Sequence, residues 1–161
     1  MSTRKIDSGE WYTNPSVATK ITENFIKKCM NKYSKSEFKI CEFTVGDGVF
    51  LIEIKKQLLK YGYTEKQLQR VVYAVDLHQD SVIKCIEKWY GKGKIEILKG
   101  NQIPSHMKSD GLIAVFKHNG NIVDHIVQAD STVYPFNFHE THTTNLKIKK
   151  DRSINDLFEI T

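Results

Sequence analysis

The sequence predicts an α/β fold built on a mostly parallel sheet. Apolar residues recur at helical spacing in separate stretches, and short β-favouring runs lie between them. Up to Leu98 the two alternate as α, β, α, β, α, β, the order in which helices act as crossovers between parallel strands. At 161 residues the chain is long enough for one domain with a buried core.

Each element has its own signal. Pro15 suits a first helical turn, where its missing N–H has no intrahelical partner, and Val17, Ile21, Phe25 and Ile26 follow at helical spacing. The run from Phe38 to Phe43 reads as a short strand ending at Gly46-Asp47-Gly48, and Phe50 to Leu59 as a helix. A short helix is expected over Thr64 to Gln69, with Thr64 as its cap. Val71-Val72-Tyr73-Ala74-Val75-Asp76 is the unbroken apolar run of a strand buried on both faces. Ser81 to Tyr90 returns to helical spacing, and Ile95 to Leu98 is a further strand. Asn119-Gly120 separates the runs Gly111–His118 and Asn121–Gln128. Asn-Gly between apolar runs signals a type I′ hairpin, expected here as an insertion or an antiparallel edge. A last weakly helical piece covers Ile154 to Ile160. The division expected is an arm over 1–10, a domain over 11–145 and a tail over 146–161.

The apolar fraction of 40% and charged fraction of 27% are those of a globular protein, which argues against a disordered chain. No apolar run approaches the length of a membrane span, and no leader is expected at the polar N-terminus. The net charge of +5 is spread over scattered lysines. It is compatible with DNA as a partner without requiring it. Cys29, Cys41 and Cys85 show no metal or disulfide spacing, so reduced thiols and a cytoplasmic location are expected. His139 and His142 stand three apart in a threonine-rich stretch, unlike the four-residue spacing of a zinc helix, and no metal is expected.

The chemistry concentrates at the first strand-to-helix corner. Gly46 and Gly48 allow a tight turn and a close approach of backbone to ligand. One unit later Asp76 ends a strand, where a carboxylate can bind both hydroxyls of a ribose. Together these residues point to a cofactor containing adenosine. The dinucleotide fingerprint would need glycine where Leu51 stands, and Glu42 would repel a pyrophosphate. Glu42 suits an ammonium group, and S-adenosyl-L-methionine carries one.

Glu42-Phe43-Thr44-Val45-Gly46-Asp47-Gly48-Val49-Phe50 resembles the first motif of the adenine-N6 DNA methyltransferases, which include modification enzymes of restriction systems. Tyr12 to Ala18 resembles the segment preceding that motif, Val75-Asp76-Leu77 the second, and Ile126 to Ser131 with Tyr134 and Phe136-Asn137-Phe138 the third. The resemblance covers roughly residues 11–138. It implies a Rossmann-like methyltransferase domain, truncated on its C-terminal side, that binds S-adenosyl-L-methionine. It also implies Thr13, Glu42, Gly46, Gly48 and Phe50 around the methionine portion, Asp76 and Leu77 near the ribose, and Asp130 on adenine.

The chain departs from the family at Phe43, where proline is common, and at Val45, where a small residue is common. More consequentially, it has only Pro15, Pro104 and Pro135, so Asn-Pro-Pro-Tyr is absent. That motif accepts the hydrogens of the target amine and stacks on the flipped base. The expectation is a cofactor-binding part whose catalytic residues are unknown: a partial enzyme completed by a second chain, a divergent enzyme, or a non-catalytic module that sequesters cofactor or docks on a methyltransferase complex. A dinucleotide-dependent enzyme is the remaining rival. Each candidate also has a plain structural reading. Gly46 and Gly48 could make an ordinary turn, Asp76 or Thr13 a helix cap, Asp130 a turn, and Trp11 and Tyr12 core packing.

Overall fold

The computed structural model describes residues 13–35 and 37–135. The arm, the tail, Trp11, Tyr12, Phe136 to Phe138 and the His139/His142 pair lie outside the described residues.

Helix α1 spans Pro15–Lys32. Its N-cap is Asn14, whose side chain accepts from Ser16 N at 2.9 Å, so the capping role considered for Thr13 belongs to its neighbour. The helix faces the core through Ala18, Thr22 and Ile26, while Val17, Ile21 and Phe25 stay exposed. The stripe read from spacing is therefore rotated: small Ala18 and Thr22 permit close approach at the core face, which larger side chains there would prevent.

Strand β1 (Ile40–Glu42) leads through the glycine corner into α2 (Val49–Lys60). Helix α3 (Glu65–Val71) starts with a capping box: Thr64 Oγ1 accepts from Gln67 N, and Gln67 Oε1 accepts from Thr64 N. Strand β2 (Val72–Asp76) follows directly and is buried at all five positions, as its composition predicts. Helix α4 (Gln79–Tyr90), strand β3 (Ile95–Lys99), two short 3-10 turns, and strands β4 (Leu112–His118) and β5 (Asn121–Ala129) complete the described chain.

The sheet is five-stranded and mixed, in the order β1-β2-β5-β4-β3. β1, β2 and β5 are parallel, whereas β4 pairs antiparallel with both β5 and β3. One expectation is corrected here: the hairpin is no insertion, because β5 is the inner partner of β2 and β4 stands beside it. The sheet is mixed, with β4 alone running against the other four strands and Ile95–Lys99 at the far edge against it. The cause is local: Asn119 (φ 50°) and Gly120 (φ 83°) close the hairpin tightly, so β4 arrives with β5 and offers its free edge to β3. The strand leading into the glycine corner is consequently an edge strand, whereas a doubly wound nucleotide fold places it inside.

The main core lies between this sheet and the helices. It joins Leu51, Ile54 and Leu58 of α2 and Val82, Cys85, Ile86 and Trp89 of α4 to Val72, Ala74, Phe116 and Ile126. Val75, Val127 and Ala129 pack on the opposite face, with Cys41, Leu112 and Tyr134 against them. An irregularity between β4 and β5 shifts their register, and the β2–β5 ladder begins at Ala74↔Ile126. His125 serves the backbone beyond it. Its Nδ1 lies 2.8 Å from Val72 O, a pure acceptor, so Nδ1 carries the proton and Nε2 accepts from the Tyr90 hydroxyl at 2.8 Å. Burial pushes this imidazole down to about 4, so it stays neutral in the folded chain.

Candidate functional site at the strand ends

The register puts the three decisive residues on one face and one edge. Glu42 pairs with Ala74, two residues before Asp76, so Glu42 and Asp76 project to the helix side at the C-terminal ends of adjacent strands. Gly46 N donates to Asp76 Oδ2 at 2.9 Å, and Val45 N donates to Val75 O at 3.2 Å. Asp76 Oδ1 accepts from His78 N at 2.8 Å. Asp76 is only 6% exposed. Its carboxylate thus clamps the loop to the start of α4, and only its remaining lone pairs are left for a ribose.

The corner itself is fixed by packing on α4. Gly48 has φ 78°, in the left-handed region, and a Cβ there would come within 2.8 Å of Cys85 Sγ. Cys85 Sγ also approaches Gly46 O at 3.7 Å, and Lys88 Nζ donates to Asp47 O. Gly48 is therefore accounted for by its left-handed backbone and close approach to a helix, and Gly46 by its own left-handed φ of 52°. Burial pushes the Cys85 thiol up to about 12, with the Lys88 ammonium lowering it and the carboxylates of Asp76, Asp47 and Glu42 raising it further.

Glu42 is half-buried, and desolvation pushes its carboxyl up to about 7. It lines a cleft of about 190 Å³ between α1 and β1, together with Ile21, Thr22, Phe25, Phe50 and Ile54. Phe50 therefore shares a surface with Glu42. Thr13, just before the N-cap, is half-buried and does not line this cleft. Leu77 is 54% exposed beyond Asp76, and Phe43, beyond Glu42, is 55% exposed. Two exposed apolar residues thus follow the acids where the strands end.

Asp130 ends β5 in a turn. Its Oδ1 accepts from Thr132 N at 2.9 Å and Thr132 Oγ1 at 2.6 Å, and these bonds hold its carboxyl below the usual range. The turn sends Tyr134 under the sheet, against Val75 and Val127 on the face away from the acids. Asp130 therefore has a local structural role here, and Tyr134 does not project at the site.

Sequence reading missed Cys85, Lys88 and Gln128, whose roles depend on pairing between distant segments. Gln128 stands opposite Asp76 and donates from Nε2 to Leu77 O at 2.9 Å. Its Oε1 is buried with no hydrogen-bond partner among the described residues. No group of His, Cys, Asp and Glu among the described residues could hold a metal ion, and none of their helices is long and apolar enough to cross a membrane. No family model, curated protein or solved structure matches the chain.

Proposed function

We propose that this chain binds S-adenosyl-L-methionine at the C-terminal edge of β1 and β2, in a Rossmann-like β1–α2–β2 unit, without supplying methyl-transfer chemistry of its own. The observation that carries the reading is the convergence of Glu42, Gly46 and Asp76 on one face of adjoining parallel strands. Ligands of open α/β sheets sit outside the carboxyl ends of the strands. When bound, the cofactor supplies a sulfonium whose methyl group is open to nucleophiles.

The fit is good at the amino-acid end. Glu42 is a desolvated carboxylate that makes no ion pair with another described residue, and an ammonium beside it restores the charged form. A cleft of about 190 Å³ suits that end alone, since complete small-ligand pockets run from about 300 Å³ upward. The adenosine then rests outside it, along exposed Phe43 and Leu77, and Gln128 Oε1 is an acceptor still lacking a donor. Asp76 contributes chiefly by holding the loop.

The non-catalytic part of the reading rests on the absence of adjacent prolines and on the packing of half-buried Tyr134 beneath the sheet. A second chain carrying Asn-Pro-Pro-Tyr would be the partner that completes an enzyme, with DNA as its substrate. Isothermal titration with S-adenosyl-L-methionine tests the site. Binding at pH 7 should release protons to the buffer, because burial raises the Glu42 carboxyl to about 7 and an ammonium beside it favours the charged form. Glu42→Gln should abolish that release and weaken affinity about tenfold. No heat at millimolar cofactor, or equal affinity in the variant, contradicts the proposal. Transfer of labelled methyl to DNA by this chain alone contradicts its non-catalytic part.

A further inference from the structure

We propose a second binding site, at the opposite edge of the sheet, for a phosphorylated small molecule of about nucleotide size. A cleft of about 580 Å³ opens there, at the N-terminal ends of β1 and β2. That volume lies within the roughly 300–1,000 Å³ range of small-ligand pockets. Three cationic side chains line it: Lys35 from the loop after α1, Lys39 just before β1, and Arg70 from the last turn of α3. One carboxylate, Asp124, stands with them. Three positive groups against one negative favour an anion, and an Arg fork beside lysines is the donor set that grips phosphate oxygens.

The rest of the wall suits such a ligand. Gln67 and Gln69 add amide donors and acceptors, and buried Phe38, Tyr63 and Tyr73 form the floor. Lys35 Nζ lies 5.3 Å from the centre of the Tyr63 ring, a cation–π contact that holds its charge over the cleft while the residue remains exposed. Arg70 sits at a helix C-terminus, whose carbonyls would repel an anion. The Tyr73 hydroxyl donates to Arg70 O at 2.8 Å and occupies that carbonyl. A nucleic-acid track is disfavoured, because it needs a continuing row of cations. Past Gln69 the next cleft is lined by Tyr90, His118, Asn121, Ile122 and Val123, with no Lys or Arg.

The test uses the full chain with inorganic pyrophosphate and with UDP, neither of which contains adenosine. Both should bind, more weakly as salt rises. Lys35→Glu and Arg70→Glu should each lower affinity by about tenfold or more while leaving the thermal midpoint near that of the parent. Glu42→Gln should leave this binding unchanged, which separates it from the cofactor reading. Silence of both probes at millimolar concentration, undiminished binding by the charge-reversed variants, or binding of an oligonucleotide alone overturns the proposal.

Discussion

Desolvation shifts Glu42 up and His125 down, so their titrations should oppose each other. Glu42 has its carboxyl raised from 4.5 to about 7. Between those values the folded chain holds a proton that the unfolded chain has lost, so its contribution to stability falls as pH rises. His125 is lowered from 6.5 to about 4. In that window the unfolded chain holds the extra proton, so stability rises with pH. Each shift is worth about 3 kcal/mol, and between about 4.5 and 6.5 the two slopes nearly cancel. Denaturant unfolding of the parent should therefore change little over that range, while Glu42→Gln should gain up to about 3 kcal/mol from pH 4.5 to 6.5. A flat profile in the variant contradicts this account. Gly46 and Gly48 were legible because their spacing is local, and Asp76 because it ends an unbroken apolar strand one unit later. The partners that explain them, Cys85 and Gln128, come from distant segments and carry no local signal.

The corner between β1 and α2 is held by α4 as much as by its own turn. Replacing Gly48 by alanine strains a backbone at φ 78° and drives a Cβ to within 2.8 Å of Cys85 Sγ. The expected cost is about 2–4 kcal/mol. In a Cys85→Ala background the steric share should vanish and only the backbone share of about 1–2 kcal/mol remain. Equal costs in both backgrounds would show that the sulfur contact does not restrain the loop. The helices, the buried β2 strand and the hairpin were legible because period, composition and Asn-Gly each act within one element. The place of β3 was not, because Ile95–Lys99 reads as a strand whichever edge it joins. The hairpin that follows it in the chain decides which edge is free.

At the scale of the molecule, the sheet presents two chemically different ends. Glu42 and Asp76 gather where β1 and β2 finish, with exposed Phe43 and Leu77 beside them. Lys35, Lys39 and Arg70 gather where the same strands begin. Alternation along the chain foretold the first end, since each βα corner must fall at a strand terminus. The second arises from loops and a helix end that only the folded sheet brings together. A titration of nitrogen-labelled protein with S-adenosyl-L-methionine, followed by amide NMR, tests the central claim most directly. The account predicts saturable shifts at Phe43, Gly46, Phe50 and Leu77, with the amides of Lys35 and Arg70 unmoved. Shifts confined to Lys35 and Arg70, or none at millimolar cofactor, would contradict it.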